Sequence, residues 1–556
     1  MSNVRVSRRG ALGSLAAVAA AQTTSGAPYW ELNQKRIDQH SDATARLLER
    51  QTTERGSRWL GGLPDADGLH HGGPAAGLVA NYVAALVQPK SRFYRSGEVM
   101  DRLKLAIGFL DRRTTPDGNI DLLITNFNSP PDTSFAMYSM AAAAKLARET
   151  KSDELEGLIK PIFDRHVRGL VNGGVHTPNH RWVMCAALSQ ANAIYPDPAL
   201  VKRADLWLSE GIDIDSDGMY SERSTGGYNG VVNRALTVVA RELKRPAVLD
   251  PVRRNLGAML SLLHPGNEPV TEVSRRQDLN TRGSLSGYWL ALRHVALTDG
   301  NGVFETLARQ FEPGMVELMV HPDLQAAGPE PKAVPDNYER FFPNMRIARI
   351  RRGLTSATIL LEGYSRFFTL RRGDAIVGAV RMASAFFGKG QFVSTHGEKA
   401  GSTYRLTQSL DAGYYQPLGE EQPWGVDQWY EVRLRRRRSE VCTQTRTVEI
   451  TETSNGFRMR VNVTGTADVP VAIEISLPGD GELTGCDKAP HPADGWLLRE
   501  GRTATWKSGG GTIRFGPGAA ATTYTEVRGA EPAIGGRTVY LTGYTPFDHT
   551  IEFQVS

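Results

Sequence analysis

The chain has 556 residues, enough for two or three domains at roughly 150 residues each. Hydrophobic residues make up 40% and charged residues 22%, which excludes a disordered or collagen-like chain. The 65 Lys and Arg against 60 Asp and Glu leave a net charge of +5, too weak for a nucleic-acid binder but suited to an acidic small molecule or polyanion, because arginine forks onto carboxylates and sulfates.

The N-terminus carries Arg8-Arg9 ahead of a short, small-residue apolar run at residues 15–21. That order reads as a twin-arginine export signal over residues 1–27, with the mature protein periplasmic or secreted. The run is too short to span a membrane, and no other segment approaches the length that spanning needs, so no membrane partner is expected.

Residues 28–325 read as helical. Apolar residues recur at spacings of three and four over 141–146, 188–194, 231–243 and 288–297, separated by turns such as Pro116-Asp117-Gly118 and Asn172-Gly173-Gly174. Paired helices in a ring or solenoid are expected, without a fixed-period repeat. Residues 326–344 lie in a stretch, 322–343, that holds five prolines and reads as a linker. From 345 to 556 the period becomes two, as in Arg346-Ile347-Ala348-Arg349-Ile350-Arg351 and Phe457-Arg458-Met459-Arg460-Val461-Asn462-Val463, which predicts an antiparallel β-sandwich. The basic run at residues 435–438 reads as a solvated strand edge. Of the three cysteines, only Cys442 and Cys486 share one half of the chain, so at most one bridge is expected.

Some motifs carry less than they suggest. Asp213-Ile214-Asp215-Ser216-Asp217-Gly218 starts like a calcium loop, but its twelfth position is Ser224, where a bidentate Glu is needed. His70-His71 lacks a third ligand at a sensible spacing and reads as a loop. No metal or organic cofactor is expected.

Two segments carry chemistry. The first is Thr177-Pro178-Asn179-His180-Arg181-Trp182. Proline followed by asparagine signals a helix start, with Asn179 as the cap, and puts Asn179 and His180 beside backbone N–H groups and the positive end of a helix dipole, a natural place for a carboxylate. The second runs from Asp217-Gly218 through Tyr220, Glu222 and Arg223 to Tyr228, and enters the helix 231–243, which carries Arg234. Arg223 and Tyr228 are five apart on this loop and are expected to face one cavity. Read alone, Asn179 is also a plain cap, and Tyr220 and Tyr228 are also packing residues.

Together these segments resemble the toroid polysaccharide lyases: the alginate lyases, and more distantly the hyaluronate/chondroitin and heparinase II/III-like groups. In the alginate type an Asn-His pair followed by an aromatic opens one inner helix, matched here by Asn179, His180 and Trp182. A later Asp-Gly, Glu, Arg, Tyr stretch opens another, matched by Asp217-Gly218, Glu222, Arg223 and Tyr228. Pro178 stands where some members carry a further Asn, and Arg223 stands where the hyaluronate type has His. The resemblance implies an N-terminal incomplete (α/α) toroid followed by an antiparallel β-sandwich, and β-elimination on an acidic polysaccharide or oligosaccharide. In that chemistry Asn179 and Arg223, with His180, neutralise a uronate carboxylate so that the C5 proton can leave. Tyr228 serves as base, acid or both, and His180 is the alternative base. Asn128, in the polar loop 125–133, is a further candidate contact, as are Trp182, Tyr220, Glu222, Arg234 and His396.

Two other functions fit part of the pattern. A glycoside hydrolase would draw its two carboxylates from Asp213, Asp215, Asp217 and Glu222. A non-catalytic carbohydrate-binding protein would use the sandwich and leave the loop residues idle. For the export signal, replacing Arg8 and Arg9 by Lys is expected to leave the protein in the cytoplasm. Cell fractionation that still finds the variant outside would remove the twin-arginine reading.

Overall fold

The computed structural model describes residues 32–421, 425 and 428–556. The export segment read over residues 1–27 lies outside the described residues. The chain divides into two compact units. One comprises Met1–Glu210, Arg241–Arg245 and Glu312–Ala327; the other comprises Gly211–Ala240, Pro246–Phe311 and Gly328–Ser556.

The first unit is a double layer of helices. Gly72–Val87, Pro130–Glu149 and Pro178–Ile194 pack side by side, each buried over most of its circumference. Their alanines, among them Ala75, Ala76, Ala143, Ala144, Ala186 and Ala187, allow this burial because they bring no bulk to the contacts. Each inner helix is followed by an outer one, Gly97–Arg113, Asp153–Asn172 and Pro198–Leu208, that packs back onto it. The outer helices bury one stripe only; in the first it is Val99, Leu103, Ala106 and Leu110, at helical spacing. Their starts are set by side chains that accept from backbone N–H groups: Ser96 from Val99, Ser152 from Leu155 and Asp197 from Ala199. His70 and His71 are absorbed by the fold. His71 pairs with Asp65 at 3.1 Å and accepts from the Leu123 N–H, while His70 stacks on Trp59 and meets Thr52 Oγ1 at 2.9 Å.

The second unit holds the helices Tyr228–Glu242 (up to Ala240), Leu249–Met259 and Trp289–Asp299, an eight-stranded sheet and a nine-stranded sheet. Among the described strands pairing is antiparallel except where Gly495–Leu497 runs parallel to Arg537–Tyr544, and single parallel bridges join Glu500 to Gly518 and Ala520 to Thr542. The period-two expectation holds in Gly456–Gly465: Phe457, Met459, Val461 and Val463 are buried in the sandwich core and Arg458 and Arg460 are exposed. The strand Asn337–Phe342 begins within the proline-rich stretch and pairs with Ile347–Arg352. The run 435–438 is not a strand edge. Residues Arg433–Arg435 form a 3-10 turn and only Arg438 enters the strand Arg438–Thr453. Cys185, Cys442 and Cys486 are all free.

Several strands of the nine-stranded sheet break the in-out rule, Thr355–Leu360 and Pro470–Leu477 among them. In Ile347–Arg352 both faces are buried: Ile350 points into the core, and Arg349, on the opposite face, is also fully buried. The segment after Leu249–Met259 covers that polar face. Arg349 donates to the carbonyls of Ser261, Leu263 and Ala357 and to Ser356 Oγ and Thr358 Oγ1. His264 stands beside it, its Nδ1 3.0 Å from Ser356 Oγ and its Nε2 3.3 Å from Glu272. Burial holds the His264 imidazole neutral, lowering its pKa to about 3. Burial alone would raise the Glu272 carboxyl, but His264 and the Arg371 and Arg349 guanidiniums outweigh it and hold it below the usual carboxylate range.

Both shifts have the same sign. The unfolded chain takes up these protons more readily than the folded one, so stability is complete above the ordinary histidine value near 6.5 and falls as pH drops below it. His264 by itself is expected to remove about 2 kcal/mol between pH 7 and pH 5. Denaturant unfolding at the two pH values checks this: the pH dependence should shrink in His264→Gln. An unchanged slope would mean that His264 is not held neutral.

Candidate active site

In the first unit the helix Pro178–Ile194 starts as expected, with one correction. Thr177 is the N-cap and Asn179 lies inside the first turn, because Pro178, with its preset φ and missing N–H, takes the first helical position. Asn179 Nδ2 donates to Thr177 Oγ1 at 3.2 Å. Asn179 and His180 are both buried at the helix mouth. The edge of the His176 ring meets the His180 ring at 4.8 Å, and Phe135 meets it at 6.0 Å, so two rings fix the imidazole plane. Trp182 is fully enclosed beneath the Arg181 guanidinium, which also pairs with Glu210 at 2.9 Å. A ring with no exposed surface offers no face to a ligand, so Trp182 anchors the helix. Asn128 sits in the short strand Asn126–Ser129, which pairs with Ile120–Leu122, with φ +47°. It accepts from Thr115 and Asn119 and donates to Asp117 and, through its N–H, to Asp121.

In the second unit the loop 211–227 is built from turns. Asp215 Oδ1 accepts from the Met219 N–H at 2.9 Å. Gly218 has φ +85°, and a Cβ there would come within 2.7 Å of the Arg254 carbonyl, so only glycine closes this turn. Asp217 accepts from the N–H groups of Asn344 and Met345 at 2.8 and 2.9 Å. Burial raises its carboxyl above the ordinary value despite those two bonds. Asp213 accepts from Ser221 Oγ at 2.5 Å. Of the four acids a hydrolase would draw on, Asp213 and Asp215 are tied into the loop itself and Asp217 to the backbone of residues 344–345. Tyr220 is buried and donates to Asn233 Oδ1 at 2.8 Å, so its hydroxyl serves the fold.

Arg223 sits at φ +51° and donates through Nη2 to the Asn344 carbonyl at 2.8 Å. Tyr228 is half-buried at the first turn of Tyr228–Glu242, at the positive end of its dipole. Its N–H is capped by Ser224 Oγ at 2.8 Å. Glu222 lies buried behind, with Arg276 Nε 3.6 Å from its Oε2, and the same guanidinium stands 4.8 Å over the Tyr228 ring. The structure therefore brings Glu222, Arg223 and Tyr228 onto one loop and adds Arg276. Arg234 is half-buried six residues along the helix, and His396 is exposed beside Glu362 and Glu398 on the strand His396–Ala400.

Arg276 and Asp278 were not anticipated. Asp278 accepts from Ser224 Oγ, Ser274 Oγ and the Gly226 N–H, and so fastens the Tyr228 loop to the loop 271–282. Further bonds run between these segments: Thr225 Oγ1 to the Val270 carbonyl, the Arg275 N–H to the Glu222 carbonyl and Arg275 Nη1 to the Ser221 carbonyl. The only signal for them in the sequence is the polar run Ser274-Arg275-Arg276-Gln277-Asp278, which carries no motif by itself. Among the described residues no group of three or more His, Cys, Asp or Glu side chains is placed to hold a metal ion. No described helix is long and apolar enough to cross a membrane.

This order of helices then antiparallel sheets is the fold of the toroid polysaccharide lyases. A chondroitin AC lyase from Streptomyces coelicolor, solved with chondroitin sulphate, is similar over 96% of this chain and 80% of its own, with a TM-score of 0.57 and 14% identity. A Paenibacillus xanthan lyase is similar over 94% of this chain and 56% of its own, with a TM-score of 0.56 and 9% identity. No family model and no curated protein sequence matches the chain.

Removing the Asp278 carboxylate frees two groups on the Tyr228 loop. Asp278→Ala is expected to cost about 1.5–3 kcal/mol of stability, the worth of hydrogen bonds to a charged group. The same change should lower turnover by loosening Tyr228. Calorimetric melting checks the first effect, and a variant as stable as the parent would show that the loop is held elsewhere.

Proposed function

We propose that the chain is a polysaccharide lyase that cleaves a uronate-containing polysaccharide or oligosaccharide by β-elimination. The observation that carries this reading is Tyr228 at a helix N-terminus, its ring beneath the Arg276 guanidinium, in a chain with the fold of polysaccharide lyases. In the reaction a base takes the proton from C5, the electron pair forms the C4–C5 double bond, and the C4–O4 bond breaks with a proton delivered to the leaving oxygen. The C5 proton is only weakly acidic, so the neighbouring carboxylate must first be neutralised. Arg223, on the Tyr228 loop, is a donor assigned to that task, because preorganised donors act most strongly where charge develops, and Asn179 is the donor that the resemblance of the Asn-His motif implies. Tyr228 carries the proton transfer, with Arg276 as the cation that stabilises a phenolate. His180, its plane fixed by His176 and Phe135, is the alternative base.

In this reading residues 28–325 form the catalytic domain, residues 345–556 form the sandwich, and the protein acts outside the cytoplasm on an acidic glycan. The loop chemistry supports elimination over hydrolysis because Asp213, Asp215 and Asp217 are occupied by structural hydrogen bonds and Glu222 faces Arg276 at 3.6 Å.

Tyr228→Phe keeps the ring under Arg276 and deletes the phenol. Turnover is expected to fall by about 10²–10⁴, the usual worth of general acid–base catalysis, with melting nearly unchanged. Asn179→Ala should lower kcat more than KM. The assay is the ultraviolet absorbance of the unsaturated uronate, across a panel of acidic glycans. Near parental turnover in Tyr228→Phe would sink its role, and loss in His180→Ala alone would move the base to His180. Cleavage without that absorbance would sink elimination itself.

A further inference from the structure

Asp217 and Arg223 lie on one loop, and a single peptide unit from another part of the second unit stands between them. The carbonyl of Asn344 accepts from Arg223 Nη2 at 2.8 Å. The N–H of Met345, on the same peptide bond, donates to Asp217 Oδ2 at 2.9 Å. The Asn344 N–H donates to that carboxylate oxygen at 2.8 Å, and Asn344 Nδ2 donates to Ser216 Oγ at 2.6 Å. The loop therefore holds Asn344 through its amide, its side chain and its carbonyl.

The turn of the loop does not need the Asp217 carboxylate. Asp215 Oδ1 accepts from the Met219 N–H, and Gly218 supplies the positive φ. Asp217 instead reaches out of the loop. A carboxylate that accepts from one side of a peptide unit polarises it and makes the carbonyl on the other side a stronger acceptor, most of all where water is excluded. Asp217 and Met345 are both buried. Arg223 depends on such a hold. Its backbone has φ +51°, a region that arginine rarely occupies and keeps only where its surroundings impose it. Its long side chain gives up rotamer freedom when fixed. Among the described residues its guanidinium makes one hydrogen bond, to the Asn344 carbonyl, which leaves the rest of the fork for a ligand.

We propose that Asp217 is a positioning residue, which sets the Arg223 guanidinium for a uronate carboxylate through the Asn344–Met345 peptide. The role rests on the lyase reading, in which Arg223 neutralises that carboxylate. The charged groups facing Asp217 are Asp215 and Arg223 on its own loop and Arg340 on the strand Asn337–Phe342. Burial, with Asp215 adding to it, lifts the Asp217 carboxyl above the ordinary aspartate value against the pull of the two backbone bonds and Arg223. The hold on Arg223 is thus complete while Asp217 is ionised and slackens as pH falls and the carboxyl takes up its proton.

The test is titration calorimetry of the full chain, in the Tyr228→Phe background, with tetrasaccharides from a panel of glucuronate- and mannuronate-containing glycans. Arg223→Gln should weaken binding by about 10-fold or more, the scale of losing a charge-assisted bond, and Asp217→Asn should weaken it in the same direction. The double variant should bind within about 2-fold of Arg223→Gln alone, because Asp217 acts through Arg223. Asp217→Asn and its parent should converge in affinity as pH falls, since the protonated carboxyl resembles the amide. Melting controls report folding; if Asp217→Asn does not fold, Asp217→Ser is the second variant, judged in the same way. Parental affinity in Asp217→Asn, losses that multiply in the double variant, or a gap that persists unchanged at every pH where both fold would overturn the role and leave the lyase reading standing. Binding that follows both residues in a chain that forms no unsaturated product would keep the role and remove the lyase reading.

Discussion

Arg349 joins the helical segment of the second unit to its sheet, and the surrounding contacts depend on it. A guanidinium taken fully out of water needs every donor met, because an unmet buried charge costs several kcal/mol. Here the acceptors are carbonyls on two chain segments, 261–263 and 356–358, together with two hydroxyls. The segment therefore cannot slide along the sheet without stranding the charge. His264 and Glu272 extend the same network to Thr369 on the next strand but one.

That constraint reaches the candidate site through the chain itself. Glu272 is followed within six residues by Arg276 and Asp278, the side chains that contact Glu222, Ser224 and Tyr228. A loop anchored on a sheet at one end holds the Tyr228 ring more precisely than a free loop would, since the fixed end removes conformations otherwise open to it.

The sandwich was legible because each strand's alternation records which face meets the core, as in Phe457 to Val463. The helices were legible where apolar residues recur at spacings of three and four, as in Tyr228–Glu242. The helix start at Pro178 was legible from local stereochemistry, although the cap fell on Thr177. The strand Ile347–Arg352 was legible as a strand but not as one buried on both sides: an alternating arginine looks the same whether water or a second segment covers it. The run 435–438 misled for a related reason. Alternation with Val432 and Leu434 suits a strand, but the backbone curls into a helical turn before Arg438.

Local chemistry along the chain was enough to mark Asn179-His180 and Arg223/Tyr228 as functional candidates, since these residue types at loop-to-helix junctions have few structural uses together. It could not show that Trp182 and Tyr220 are enclosed, because an aromatic side chain carries the same signal in a core and in a cleft. Nor could it select Arg276 and Asp278, whose roles exist only once residues about 50 apart are brought into hydrogen-bond range. The sequence by itself determined the order of helices then strands, the core faces and the local turns, all of which depend on neighbours in the chain. Which polar residues are buried, which charges lack a partner and which loops hold one another were decided by tertiary structure, because each depends on what covers the residue from elsewhere in the chain.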